Sequence, residues 1–321
     1  MINLNELARK YRVYEISDKS EFQRKARIMQ SLWREQQGYA IGQHINKKGE
    51  ERELGSRLLM PLAKETLNNY LTANIRSVVH HELKTWKKEK LYREPRIYDD
   101  LLSSQPLCFN LFAELKLNLE LATRVLNEIA DKKIKRIDDI EFEYSPGRRN
   151  NVYTGDRTAF DVFVKYTSAY GRAGFIGIEV KYHENLNDRP SDHKSRYDEI
   201  ARAIGCFKEN SAGKLRKKPL QQIWRDHLLA GSMIQAGDYD EGLYVFLYPQ
   251  DNDYCNEAIK AYLKCLLNTD IFSAWTLEHV ANVIRQNTKD KWIGIFIDRY
   301  LNFDKIEELQ RQRVRYKRKT N

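Results

Sequence analysis

Two runs of β-branched and aromatic residues, 159–166 and 175–182, flank the turn-like Gly171-Arg172-Ala173-Gly174 and constrain this chain more than any other feature. Their apolar residues alternate, which is the period of a strand and not of a helix. In the first run Phe160, Val162, Val164 and Tyr166 share one face, while Asp161 lies with Phe163 and Lys165 on the other. In the second, Ile176, Ile178, Val180 and Tyr182 share one face, and Glu179 and Lys181 the other. Folded as a hairpin, the runs bring Asp161, Glu179 and Lys181 onto a single face.

Two acids and a lysine so placed suit one chemistry. A phosphodiester is already an anion, so its hydrolysis needs a Lewis acid at the phosphoryl oxygens, an activated water, and positive charge where negative charge develops. Carboxylate oxygens suit Mg²⁺, or Mn²⁺ in its place, because these ions keep several waters and take a few carboxylates plus substrate oxygens. Asp161 and Glu179 are the candidate metal ligands, with the Val180 carbonyl as a further one. Lys181 is the candidate for positioning or polarising the attacking water. An ordinary hairpin with charges on its wet face fits the same pattern, because Glu-x-Lys is cheap in a chain with 31% charged residues. Glu82-Leu83-Lys84 and Glu114-Leu115-Lys116 repeat the spacing, but in segments of helical apolar period.

The arrangement resembles the PD-(D/E)XK nuclease superfamily, with Asp161 as the first acid and Glu179-Val180-Lys181 as the (D/E)XK element. The resemblance extends to Gln30-Ser31-Leu32-Trp33-Arg34-Glu35, Leu54-Gly55-Ser56-Arg57-Leu58 and the segment 104–112, and to 155–161 and 174–181. These blocks, from about residue 30 to 185, are similar to a bacterial restriction-endonuclease-like branch. Phe160 departs from the Pro that usually precedes the first acid.

The resemblance implies an α/β fold: a restriction-endonuclease-like core, a central mixed sheet flanked by helices, with helical N- and C-terminal additions. It divides the chain into a helical N-terminal extension (1–105), a nuclease core (106–300) and a basic C-terminal tail (301–321). It implies a Mg²⁺-dependent endonuclease cutting nucleic acid, double-stranded DNA first, in bacterial restriction, defence or DNA processing. Such cores recruit an extra acid from the preceding helix or first strand, which makes Glu114, Glu141 and Glu143 candidates, Glu143 being preferred. Gln222 and Arg225, on a helix after the motif, become candidate substrate contacts. A homodimer and an activating partner protein stay open.

Composition agrees on the partner. A net charge of +10 over 321 residues favours a polyanion, and the turn-rich Ser145-Pro146-Gly147-Arg148-Arg149 offers Arg148 and Arg149 to phosphates. Cys108, Cys206, Cys255 and Cys265 form no C-x-x-C pair, which points to a reduced cytoplasm. No apolar run has the length of a membrane span, and no P-loop, dinucleotide fingerprint or G-x-S-x-G elbow occurs. Asp156, beside Gly155, reads as an acid bracing a turn.

Along the chain, Ser20 to Gln23 form a capping box ahead of the stripe Phe22, Ala26, Met29, Trp33. Residues 43–55 read as a loop, and one or two helices with a basic end at Lys84, Lys87, Lys88 and Lys90 follow Pro61. Further helices are expected at 109–131, 192–207, 220–235, 254–267 and 277–300, with strands at 137–144 and 241–249. The run 311–319 carries six basic residues. The competing reading from another class is a nucleic-acid-binding or assembly module without cleavage; an RNA-directed nuclease on the same fold is a further alternative.

Overall fold

The computed structural model describes residues 3–45, 49–85, 90–130 and 132–317, with side chains to residue 311. The chain begins with α1 (Leu4–Lys10), α2 (Glu21–Gln36), strands β1 (Ile41–Ile45) and β2 (Glu51–Leu58), α3 (Leu62–Thr66), α4 (Ala73–Lys84) and α5 (Arg96–Asp99). Next come α6 (Ser104–Leu117), α7 (Leu119–Ile129), β3 (Ile134–Tyr144), β4 (Phe160–Ser168), β5 (Ala173–Val180), α8 (Ser195–Ile204) and α9 (Ala212–Leu215). The rest is α10 (Leu220–Gln235), β6 (Glu241–Tyr248), α11 (Asp253–Leu263), β7 (Phe272–Thr276), α12 (Leu277–Asn287), α13 (Lys291–Tyr300) and α14 (Asp304–Lys317). These fall into two compact units: Met1–His80 with Tyr92–Asn110 and Asp290–Asn321, and His81–Leu91 with Leu111–Lys289.

In the first unit, the Ser20 hydroxyl accepts from the Gln23 N–H at 3.1 Å, and α2 buries Phe22, Ala26, Met29 and Trp33. The expected loop at 43–55 is instead part of a hairpin in which β1 and β2 pair antiparallel. Its strand signal is hidden because Glu51, Arg52 and Glu53 are exposed and only Leu54 to Ser56 and Leu58 of β2 are buried. Arg299 is fully buried: its Nε donates to Gln30 Oε1 at 3.0 Å, and its other nitrogens donate to both Asn69 oxygens at 2.6 Å. The guanidinium also lies 3.8 Å above the Trp33 ring. Arg299→Ala should therefore destabilise the protein by about 3 kcal/mol in urea unfolding, because it strands buried acceptors and leaves a cavity.

In the second unit the sheet order is β3-β4-β5-β6-β7, with β3, β4 and β5 antiparallel and β5, β6 and β7 parallel. A tight turn at Gly171, whose φ is +76°, joins β4 to β5. A parallel step instead requires a crossover, supplied by α8 to α10 before β6 and by α11 before β7. Phe163, Phe175, Tyr244 and Phe246 on one sheet face pack with Tyr197 of α8, Ile223 and Trp224 of α10 and Tyr262 of α11. Val164, Ile176, Ile178 and Val245, which alternate with them, are equally buried, so the central strands are covered on both faces. On the other side α7 packs on β3, and α12 on α7 and β7. The fold is thus the expected α/β one, a mixed central sheet flanked by helices, consistent with a restriction-endonuclease-like core.

Several expected elements differ. The helix expected at 109–131 breaks at Asn118, whose side chain leaves the helix pattern to cap α7 by accepting from the Leu121 N–H at 3.0 Å. The helix expected at 277–300 is split by extended backbone at Thr288 and Asp290 into α12 and α13. The one expected at 254–267 ends at Leu263, and β7 adds a strand that was not expected. Phe160 does not share the face of Val162: its ring joins Phe163 and Phe175 by lying over Gly177.

Of the expected basic helix end, Lys84 and Lys90 are described, and Trp86, Lys87 and Lys88 lie outside the described residues. In the run 311–319 only the Arg311 side chain is described, paired with Glu307 at 2.9 Å. No described helix is long and apolar enough to cross a membrane.

Candidate active site

The β4–β5 ladder pairs Val162 with Ile178, and one step further the same register sets Asp161 beside Glu179. Asp161 Oδ2 accepts the Val180 N–H at 2.8 Å, which fixes the carboxyl against the partner strand. Glu179 Oε1 accepts from Lys181 Nζ and from Gln222 Nε2, both at 2.5 Å. The Lys181 N–H in turn donates to the Leu247 carbonyl at 2.8 Å, so the end of β5 is clamped to β6. Glu179 and Lys181 are 5% and 7% exposed. They do not stand on the wet face of an ordinary hairpin; α10 roofs them with Gln222.

Gly177 belongs to this geometry. A Cβ there would stand 2.7 Å from three atoms of the Phe160 ring, and Phe160 immediately precedes Asp161. Gly177→Ala should lower stability by about 1–3 kcal/mol, as overpacking does, and slow the chemistry by moving Asp161. Thermal melts and single-turnover rates of that variant check both effects.

The electrostatics are those of crowded acids around one cation. Burial, then Glu179, raises the Asp161 carboxyl well above the usual carboxylate range, with Lys181 opposing. Burial also raises Glu143, against the pull of Arg148, and the charge of Glu179 adds to the rise. Lys181 is different. Burial drives its ammonium down, but Glu179, Glu184 and Asp161 outweigh it and leave the lysine above its ordinary value.

The structure brings Asp161, Glu179, Lys181, Gln222 and Glu143 into one electrostatic neighbourhood, Val180 entering through its N–H. Glu143, the residue before the end of β3, has a left-handed φ of +50°, and Arg148 pairs with it at 2.7 Å. Glu141 instead pairs with Lys165. Arg149 is exposed, with φ +62°. Arg225 turns away from Glu179 to Asp156 at 2.6 Å, Thr158 at 2.7 Å and Ser191 at 2.9 Å.

Asp226 was not expected. It is buried on α10, four residues after Gln222 and hence on the same stripe, and the Tyr244 hydroxyl lies 3.5 Å from its Oδ2. Burial and then Glu179 raise its carboxyl, with Arg225 and Lys181 opposing. The i, i+4 step from Gln222 is the one sequence signal that points to it.

Among the described residues no three His, Cys, Asp or Glu side chains form a ready-made metal cage. The donor set still suits a hard cation that brings its own waters. Asp161 Oδ1 and Glu179 Oε2 have no hydrogen-bond partner among the described residues, and the two carboxyls repel each other in a buried site. These two side chains are the ones able to hold such an ion.

The family model described as the PD-(D/E)XK nuclease superfamily matches residues 17–302, well beyond the 30–185 spanned by the sequence blocks. No curated protein and no solved structure matches the chain. With the family match covering most of its length and the acids and lysine of the motif gathered on the β4–β5 pair, the chain belongs to the PD-(D/E)XK nuclease superfamily.

Proposed function

We propose that this protein is a Mg²⁺-dependent endonuclease that hydrolyses phosphodiester bonds of DNA, in bacterial restriction, defence or DNA processing. The observation that carries the reading is the cluster of half-buried Asp161 with buried Glu179 and Lys181, in which the lysine and Gln222 hold one Glu179 oxygen and leave Glu179 Oε2 and Asp161 Oδ1 for a cation. Asp161 and Glu179 would hold Mg²⁺, or Mn²⁺ in its place. The bound ion supplies Lewis acidity at the phosphoryl oxygens and lowers the cost of forming hydroxide from water.

The rest is done by the chain. Lys181, whose ammonium Glu179, Glu184 and Asp161 favour against its burial, would serve as a hydrogen-bond donor that orients the attacking water and meets the charge of the transition state. Gln222 fixes the rotamer of Glu179, and Asp161 is fixed by the Val180 N–H. Glu143, held by Arg148, is the further acid beside Glu179. Exposed Arg149 remains available to a phosphate, whereas Arg148 and Arg225 are committed to Glu143 and Asp156. The four cysteines, all buried free thiols, support a reducing cytoplasm as the compartment.

Matched DNA and RNA substrates, incubated with the purified protein in Mg²⁺, Mn²⁺ or EDTA, test the substrate class. Internal cuts in DNA with metal, and none in EDTA, are expected. Cuts in RNA alone would keep the chemistry and move the substrate. Salt-sensitive binding without cuts in either would favour a binding or assembly module.

A further inference from the structure

We propose, resting on the nuclease reading of this same site, that Arg189, Lys214, Lys217 and Lys218 form the surface that grips the nucleic-acid backbone beside the Asp161, Glu179 and Lys181 cluster. The charge of the sheet-bearing unit is almost balanced, with 30 Lys and Arg against 28 Asp and Glu. Residues 211–220 break that balance, carrying four Lys or Arg and no acid. Arg216 is paired with Asp198 at 2.7 Å. Lys214, Lys217, Lys218 and Arg189 are exposed and form no ion pair among the described residues. Exposed cations without paired acids repel one another unless a polyanion lies across them.

Their position ties them to the catalytic face. Lys217 and Lys218 immediately precede α10, whose first turn carries the Gln222 that holds Glu179 at 2.5 Å. Four residues of chain from Lys218 to Gln222 span at most about 14 Å, and a strand of B-form DNA carries a phosphate roughly every 3.4 Å of axis, so Lys218 lies within about four phosphates of Gln222. The segment with Arg189 is bound to the same turn. Gln221 exchanges two hydrogen bonds of 2.7 Å with the Ser191 backbone, and Lys218 Nζ reaches the Asn187 carbonyl at 3.5 Å. Of the basic groups that sequence position alone favours, Arg148, Arg149 and Arg225, the first and last are paired with internal carboxylates.

The test measures binding of a fluorescent DNA duplex in EDTA, across a salt series, and cleavage kinetics in Mg²⁺. The triple variant Lys214→Ala, Lys217→Ala, Lys218→Ala is compared with Lys135→Ala, Lys260→Ala, Lys289→Ala, which removes the same charge from other exposed positions. The first triple should bind about tenfold or more weakly and lose about 2–3 from the slope of log affinity against log salt. Its KM should rise with kcat within about twofold, as loss of uniform binding requires, and the second triple should stay close to wild type. Equal effects of the two triples, or no change in slope in the first, would overturn the proposal. A wild type that cuts while the first triple binds normally overturns this surface alone. A wild type that never cuts, yet loses its salt slope in the first triple only, supports this surface and overturns the nuclease reading.

Discussion

Glu179→Gln should reduce the cleavage rate by about 10³-fold or more while leaving the protein folded, because it removes charge where the reaction needs it and little else. The amide keeps an oxygen to accept from Lys181 and Gln222, so the hydrogen bonds at 2.5 Å have a substitute. It also removes a negative charge that now raises the carboxyls of Asp161 and Asp226. Stability without metal should therefore hold or rise, the reverse of what a variant does by disrupting a core. Lys181→Met gives the complementary result. The rate should fall by about 10²–10³-fold, the cost of losing a donor aimed at developing charge. Stability should fall with it, because the buried acids lose their cation. Single-turnover rates and urea unfolding on both variants separate the two roles.

Asp156→Ala should destabilise the protein by about 3–5 kcal/mol, the cost of breaking a buried ion pair from one side. Asp156 accepts from Arg225 Nε at 2.8 Å, from the Tyr197 hydroxyl and the Thr154 hydroxyl at 2.7 Å, and from the Thr158 N–H at 2.8 Å. It thereby ties the loop before β4 to α8 and α10. Burial alone would raise this carboxyl, but Arg225, Thr158 and Tyr197 outweigh it and hold it down to about 2, from 3.8. A carboxyl lower in the folded state than in the unfolded one stabilises above the unfolded value and loses that stabilisation as pH falls through the folded one. Wild type should thus lose about 2 kcal/mol between pH 4 and pH 2 through this group, and Asp156→Asn should lack that component. Urea midpoints across that pH range are the measurement. Arg225→Ala should unfold the same hub, so weak nucleic-acid binding by that variant counts only after its fold is verified.

The parts of this molecule legible in its sequence are those where one force dominates. Strands β4 and β5 show themselves because burial on both faces fills them with Val, Ile and Phe, and the acids stand out against that background. The capping box at Ser20 and the start of α10 at Leu220 are local chemistry and were equally readable. Strands β1 and β2 were not, since the end of the hairpin is exposed on both faces and carries Glu51, Arg52 and Glu53 like a loop. Asn118 and Thr288 interrupt helical patterns that continue in apolar period on either side, so periodicity alone runs through them.

At the site, the sequence names ionisable groups but not their partners. Arg148 and Arg225 look like free cations until the fold brings Glu143 and Asp156 to them. Asp226 looks like one helix acid among many until α10 lies over β5 and β6. Gln222 is legible as a polar group of the helix after the motif, but its hydrogen bond of 2.5 Å to Glu179 appears only in the fold.

The central claim is that Asp161, Glu179 and Lys181 form a metal-dependent hydrolytic centre. Its most direct test is cleavage of supercoiled DNA by wild type, Asp161→Ala and Lys181→Ala at equal protein concentration, with Mg²⁺ or EDTA. Metal-dependent nicking or linearisation by wild type, absent from both variants while they still bind DNA, is the expected result. Cleavage that persists in EDTA, or in Asp161→Ala with Mg²⁺, would contradict the claim and move the chemistry away from the β4–β5 pair.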